Sequence, residues 1–219
     1  LEKSFDTLRA RSMSLASVEA IKVKAENGTL NLDATNIGNA KTVYFEVEDW
    51  KDVNNVNITV PRNRAKEYKK SPYANDQNTI TELDLNIIVS CDDTDITING
   101  TSTTVKVPKE DGNGYDNYKI SNQGSNKTNN HPVSSNILYN FYNAENITFN
   151  DHCNFNGTIY APNADVKSPE KCPGHLSGAL IAKSFYGGLE FGYRPYRGGT
   201  DVLGMASGYE VPVDKLIAD

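Results

Sequence analysis

The sequence predicts a mainly β protein whose strands wind into a β-solenoid, with one long helix packed along its flank. From residue 28 onward, apolar and polar residues alternate with a period of two, which is typical of strands. A phrase made of an apolar strand, a short polar turn and the pattern (Asn or Asp)-Ile-Thr-apolar recurs along the chain. Segments 157–161 and 178–182 also match at an offset of 21 residues, which is close to one coil of a solenoid.

The helix is predicted over residues 1–22. Apolar residues fall near helical spacing there, and neither Gly nor Pro interrupts the segment. These apolar positions are Phe5, Leu8, Met13, Leu15, Val18 and Ile21. We expect this helix to cover an open flank of the solenoid.

The recurring phrase predicts how neighbouring coils stack. Its second part occupies 57–60, 95–98 and 146–149. One coil cannot bury its own apolar face, so stacked coils should align equivalent residues in columns. The predicted inward columns are Ile58, Ile96 and Ile147, followed by Val60, Ile98 and Phe149. The predicted outward column is Thr59, Thr97 and Thr148.

The matching pair near the end of the chain predicts two further coils. Segment 157–161 is followed by a short strand at 164–166, and segment 178–182 is followed by one at 189–191. We expect each pair of strands to form two sides of one coil, stacked on the other.

Two polar insertions interrupt this pattern. Residues 61–81 are highly charged and predict a surface loop with a short helix, whereas residues 108–135 lack periodicity and predict a long surface loop. The predicted organisation is one domain over 1–197, followed by a tail or linker to another module at 198–219.

Composition narrows the classes of partner. The chain has 219 residues, a mass of 24.1 kDa, a formal net charge of −6 and a pI of about 5.1. This acidity, without any basic run, argues against nucleic acid or an anionic membrane surface as a partner. No stretch approaches the roughly 18 apolar residues of a membrane span. Asn occurs 26 times, and Asn suits turns and stacked side-chain ladders.

The cysteines leave three interpretations open. Cys153 and Cys172 could form a disulfide between neighbouring coils, which would close a loop of about 20 residues and add about 3 kcal/mol of stability. They could also remain free thiols, or combine with His152 and His175 as a tetrahedral zinc set, although the spacing matches no standard zinc finger. Cys91 lies in an apolar strand and is interpreted as a small core residue.

No catalytic motif or cofactor-binding motif is present, so we predict neither an enzyme nor a cofactor. Asp92, Asp93 and Asp95 form an acidic turn, and such a cluster of carboxylates could suggest a calcium-binding site. Thr97 stands where an EF-hand loop starting at Asp92 needs Gly, so a solvated turn is the favoured interpretation. A polysaccharide-cleaving enzyme of the β-helix kind would need several acids and a base on one face, and the acidic turn at 92–95 does not meet that requirement.

Two surfaces are candidate binding sites. The outward column of Thr59, Thr97 and Thr148 could bind an ordered lattice, ice included, or could be an ordinary outer face of a solenoid. Aromatic and basic residues near two Gly pairs could form an exposed patch for a glycan or a protein, or could pack in the core. That patch consists of Tyr186, Tyr193, Arg194, Tyr196 and Arg197.

The second half of the chain resembles the choice-of-anchor A family. The resemblance rests on Asn136-Ile-Leu-Tyr-Asn140-Phe141, on Gly157-Thr-Ile-Tyr-Ala-Pro-Asn163-Ala and on Gly178-Ala-Leu-Ile-Ala-Lys183-Ser-Phe. A leading helix with Phe5, Leu8, Ser12 and Leu15 also fits this family.

This resemblance implies a right-handed β-helix with a flanking helix, distantly similar to ice-binding proteins. It implies an adhesive module of a bacterial protein, extracellular and held at the cell surface through parts outside this chain. Its partner would be a host matrix protein, a glycan or another cell. The alternatives are a structural stalk or self-assembly module, or a lattice binder of the ice-binding kind. The resemblance supplies no catalytic residues.

Overall fold

The computed structural model describes residues 2–68, 79–120, 131–150, 153–171, 174–194 and 196–198. The described part contains one α-helix and is otherwise dominated by strands. The elements are α1 (Glu2–Ala16), β1 (Ile21–Val23), β2 (Thr29–Asp33), β3 (Thr42–Val47), β4 (Asn55–Thr59), β5 (Ala65–Tyr68), β6 (Thr79–Leu83), β7 (Asn86–Cys91), β8 (Asp95–Ile98), β9 (Ser102–Pro108), β10 (Tyr115–Ile120), β11 (Ile137–Asn140), β12 (Asn146–Phe149), β13 (Asn154–Asn156), β14 (Thr158–Lys167), β15 (His175–Gly178), β16 (Leu180–Tyr186) and β17 (Glu190–Tyr193).

The strands form walls around one apolar interior, as the sequence predicts for a solenoid-like β fold. The largest wall is an eight-stranded parallel sheet with the order β1-β3-β7-β11-β14-β12-β8, and β16 pairs with β14 outside that path. It curls into a half-barrel because the ten-residue strand β14 pairs with β11 through its first half and with β12 through its second half. The other walls are β10-β9-β4-β2 and β13-β15-β17.

The predicted stacking of coils is confirmed at several positions. Ile147 lies beside Ile96, and Thr148 lies beside Thr97, in parallel register. The 21-residue offset is also a structural register, since Ile159 pairs with Leu180 in adjacent strands. Equivalent residues of neighbouring coils therefore form continuous inward and outward rows.

The stacking predicted for the first copy is wrong. Strand β4 lies in a different wall, where Ile58 pairs with Leu32 and Val105, and Thr59 pairs with Asp33 and Lys106. Thr59 therefore does not extend the Thr97–Thr148 row. The inward and outward alternation is correct in both walls, and a period of two identifies the face of a residue without identifying its wall.

The last coil also differs from the prediction. Residues 164–166 do not stack on 189–191; instead Val166 pairs with Phe185, after an irregularity in the register of β14. Phe191 pairs with Leu176 in another wall. The chain stays in the large sheet as far as Tyr186 and enters the next wall only at Glu190, which is later than predicted.

The helix ends at Ala16 and not at residue 22. The backbone N–H of Ser17 closes the last turn on Met13 and Ser14 carbonyl oxygens. Ile21 then begins strand β1 beside Phe45. β-Branched Ile and Val at alternate positions favour a strand over a further helical turn.

Helix α1 covers the outer side of the large sheet. Leu15 is buried against Ile88, Leu138 and Tyr160, in a small cluster separate from the main core. Beneath the helix, the Ser12 hydroxyl donates to Asn140 Oδ1 at 2.6 Å. The amide of Asn140 donates in return to the Ser12 carbonyl at 2.9 Å and to the Ser90 hydroxyl at 3.2 Å. The two hydrogen bonds between Ser12 and Asn140 form only when the helix is docked, so they fix its position.

Two other residues singled out by the family resemblance also hold the helix. The phenol of Tyr160 donates to the Leu8 carbonyl at 3.0 Å. Asn163 Oδ1 accepts from Arg9 Nε at 2.6 Å. The motif residues Ser12, Asn140 and Asn163 are therefore explained by the docking of α1.

An aromatic cluster occupies the centre of the main core. Trp50 is 1% exposed and meets Tyr139 and Phe141 edge-on, with ring centroids 5.6 and 5.1 Å apart. Tyr139 contacts Phe155 at 4.6 Å. Edge-to-face arrangements of this kind stabilise a core beyond the burial of apolar area. Cys91 is buried, as predicted.

The predicted loops are partly ordered as strands. The short helix expected within 61–81 is a 3-10 helix at Arg62–Arg64, and β5 pairs antiparallel with β6 beyond it. Residues 115–120, predicted as loop, form β10 against β9. Arg64 is buried because its guanidinium donates to the carbonyl oxygens of Asp84, Gly38 and Ala40 at 2.7, 2.8 and 2.9 Å.

Candidate functional site

A continuous polar surface lies on the outside of β8, β12 and the second halves of β14 and β16. We call it the polar face. It consists of Asp95, Thr97, Asn99, Asn146, Thr148, Asn150, Asp165, Lys167, Ser184 and Tyr186. The residues between them, Ile96, Ile147 and Val166, are at most 2% exposed. Buried neighbours on β8, β12 and β14 hold this part of the polar face in place, and adjacent strands space its side chains about 4.8 Å apart.

The polar face joins parts of both predicted binding surfaces. One row runs through Thr97, Thr148, Lys167 and Tyr186 in successive register. The predicted threonine column is therefore two residues long here, and a lysine and a tyrosine continue it. Sequence reasoning assigned Tyr186 to a separate patch, since nothing in the local pattern indicates which coil its strand joins.

Hydrogen bonds between coils fix the side chains of the polar face. Asn146 Nδ2 donates to Asp95 Oδ1 at 2.9 Å, and Asn150 donates to Asn99 in the same way. These pairs confirm the expectation that Asn serves in stacked ladders. Asn57 donates to Asn31 at 3.2 Å in another wall, so such ladders are a general device of this fold.

A similar arrangement holds Asp165. The Ser184 hydroxyl donates to Asp165 Oδ1 at 2.6 Å, and Lys183 Nζ lies 3.2 Å from Oδ2. These two contacts, the serine first, lower the pKa of Asp165. The carboxylate therefore stays ionised at neutral pH and acts as an acceptor.

Two depressions interrupt the polar face. The larger, of about 570 Å³, lies beside the 49–52 loop and is rich in carboxylates, with Asp49, Asp52, Asp93 and Asp95 in its lining. The second, of about 470 Å³, lies between the ends of β12 and β14. We call the second depression the ladder groove; it is lined by Thr148, Phe149, Asn150, Lys167, Ser168 and Pro169.

The predicted aromatic and basic residues do not form one patch. Tyr186 and Tyr193 are 64% and 75% exposed, on strands of two different walls. Tyr196 lies elsewhere, partly buried among the side chains under α1, and burial raises the pKa of its phenol. Arg194 is half-buried and its backbone N–H bonds to the Gly178 carbonyl, whereas Arg197 is exposed.

An exposed aromatic pair that the sequence analysis did not single out lies at the end of the stack. Phe185 and Phe191 occupy inward positions of the last described coil, where no further coil within the described ranges covers them. Their rings meet edge-on at 5.5 Å, and they are 38% and 44% exposed. Their place at the end of the stack is the signal that could have indicated this exposure.

The acidic turn near the polar face has structural contacts. Asp93 Oδ2 accepts the backbone N–H of Trp50 at 2.8 Å. Ligand atoms of Cys91, Asp92 and Asp93 lie within 4.8 Å of one another. Burial raises the pKa of the Cys91 thiol to about 12. The hydrogen bond from Trp50 gives Asp93 a structural role in this turn.

The disulfide and zinc interpretations stay predictions. Cys153 is buried and its Sγ lies 2.6 Å from the Ile98 carbonyl oxygen. Cys172 and His152 lie outside the described residues. His175, which the zinc interpretation also requires, has its Nδ1 3.1 Å from Glu190 Oε2.

Within the described residues, no helix has the length and apolarity needed to cross a membrane.

Comparison with known proteins identifies the family. No curated protein and no solved structure matches the chain. Residues 1–193 match the family described as "Putative Ice-binding-like adhesive domain", in agreement with the resemblance derived from the sequence motifs. The chain therefore belongs to the ice-binding-like adhesive domain family.

Proposed function

We propose that this chain is an extracellular module of a bacterial surface protein, of the choice-of-anchor A kind, that attaches its bearer to a surface through the polar face. The family match supports an adhesive role without indicating the partner. The observation that carries the proposal is the rigid ladder of exposed hydroxyl, amide and carboxylate groups over four adjacent strands. We propose a right-handed coil as well, because crossovers between parallel strands of one sheet are right-handed in about 98% of cases.

The architecture suits attachment to an extended partner. Hydrogen bonds between coils hold Asn146 to Asp95, and Ser184 to Asp165, before any ligand arrives. Binding then costs less conformational entropy than it would on a mobile loop. Host matrix proteins, glycans and other cells all present extended polar surfaces of the kind that such a face can contact.

We propose binding rather than catalysis as the role of the polar face. Asp95 and Asp165 both accept ladder hydrogen bonds, and the ionised Asp165 cannot act as a general acid. Their contacts suit positioning of a partner more than proton transfer.

Adhesion is tested with beads that carry the purified chain, applied to an array of matrix proteins, polysaccharides and fixed cells. The variant Thr148→Arg places a bulky charge in the middle of the polar face. We expect it to lower bead retention by about tenfold, as a substitution at the centre of an interface does.

The matched control is Thr59→Arg, which lies in the same Asn-Ile-Thr phrase but points outward from another wall. It should bind as the unmodified chain does. Equal loss in the two variants, or no retention of the folded chain on any surface, would overturn the proposal.

A second candidate, self-assembly end to end, is favoured by the exposed pair of Phe185 and Phe191. Within the described ranges β16 pairs with β14 only and β17 with β15 only, so the last coil presents free strand edges beside these rings. Such edges are templates for pairing with another chain. An ice-like lattice has weaker support, because Lys167 and Tyr186 interrupt the threonine row.

Self-assembly predicts that the mean mass measured by light scattering rises with protein concentration. Phe191→Ser should keep the chain monomeric, because it removes half of the exposed aromatic pair. Tyr115→Ser, at a residue 45% exposed in another wall, is the control and should leave the association unchanged. A monomer at every concentration contradicts this candidate.

A further inference from the structure

We propose that the ligand of the polar face is a hydroxyl-rich glycan, bound in the ladder groove with Tyr186 as its stacking platform. The inference rests on the proposed adhesive function and gives the class of ligand and the place where it binds. The groove has a volume of about 470 Å³, which lies within the range of small-ligand sites.

The polar groups of the groove match the chemistry of sugar hydroxyls. Thr148 offers a hydroxyl, Asn150 an amide oxygen, and Lys167 an ammonium group. The amide nitrogen of Asn150 is already engaged with Asn99, which orients the side chain and leaves its oxygen as an acceptor. A sugar hydroxyl both donates and accepts, so it can pair with each of these groups.

Ser168 is a buried polar residue in the wall of the groove. It lines the groove and is only 8% exposed, and its Oγ has no hydrogen-bond partner within the part of the chain that the structure describes. This hydroxyl is enclosed by protein, so the ligand contacts are assigned to Thr148, Asn150 and Lys167.

Tyr186 supplies a flat apolar surface on β16, the strand beside the groove. Lys167, the register neighbour of Tyr186, lines the groove. The backbone oxygen of Tyr186 accepts a hydrogen bond from the backbone N–H of Ser168 at 2.9 Å. The phenol donates to Glu170 Oε1, which holds the ring in one orientation although it is 64% exposed. A fixed and exposed ring of this kind can stack on the C–H face of a sugar at low entropic cost.

The charge around the groove favours a neutral ligand. Lys167 is the charged residue of the groove lining, and its cation acts on the Asp165 carboxylate two positions before it, so neither sign dominates. A groove without a field of one sign does not select strongly for a polyanion or a polycation. A hydroxyl-rich neutral polymer fits such a groove.

The test uses an array of immobilised neutral polysaccharides and matrix proteins, each printed with and without periodate oxidation, which cleaves vicinal diols. We expect retention on polysaccharide spots and its loss after oxidation. Tyr186→Ala should weaken retention by about tenfold, and Tyr193→Ala, at an exposed tyrosine in another wall, by less than about twofold.

The outcomes separate the ligand from the adhesive function. Retention on matrix proteins that survives oxidation and Tyr186→Ala, but is lost in Thr148→Arg, overturns the glycan inference and supports adhesion through the polar face. Retention that survives all three changes places binding elsewhere and overturns the inference as well. No retention on any spot by the folded chain overturns the glycan inference, and a blank result on fixed cells as well overturns adhesion itself.

Discussion

Ile96→Asn is expected to lower the free energy of unfolding by about 3–5 kcal/mol, whereas Thr97→Val changes it by about 0.5 kcal/mol. Ile96 is 2% exposed and lies beside Ile147 in the inward row, so the substitution removes apolar contacts and buries an amide without a partner. Thr97 is its immediate neighbour and points to solvent. Urea unfolding of the two variants under the same conditions measures both values. Similar losses in the two variants would contradict the register of β8 against β12.

Asn140→Leu is expected to destabilise the chain by about 3 kcal/mol and to loosen α1. Asn140 is fully buried and bonds to Ser12 and Ser90, so leucine leaves these groups buried without their partner. Urea unfolding gives the loss in stability, and hydrogen exchange over α1 reports the loosening of the helix.

The control for that experiment is Asn163→Leu. Asn163 also contacts the helix, through Arg9, but this hydrogen bond is exposed to solvent. It should cost about 1 kcal/mol or less. An Asn140→Leu chain as stable as the Asn163→Leu chain, with unchanged exchange over α1, would contradict the role assigned to the buried network.

The alternation of apolar and polar residues correctly predicts which face of a sheet each residue occupies. It predicts only in part which wall the residue belongs to. Ile96 is buried and Thr97 exposed as expected, because a period of two determines which side of a sheet a residue occupies. The same pattern at Ile58 and Thr59 belongs to another wall, because the loop at 48–54 redirects the chain. Wall assignment depends on long-range pairing, which a local pattern does not encode.

The polar face could be predicted only in fragments for the same reason. The pair Thr97 and Thr148 follows from the repeated phrase. Lys167 and Tyr186 do not belong to that phrase, and they join the row only through the two-part pairing of β14. The predicted end of α1 is wrong because Val18 and Ile21 fit a helical spacing, although Ile21 pairs with β3 as part of a strand.

The contacts of α1 have a consequence for the order in which the chain folds. Ser12 bonds to a residue 128 positions later, and Leu8 to one 152 positions later. The helix is synthesised before all of the strands, yet the surface that receives it is complete only after β14 has paired with β11. Contacts this distant in sequence form late and slow the folding of a domain. During synthesis, the apolar side of α1 therefore stays uncovered until most of the domain has been made. Docking of the helix is among the last steps of folding.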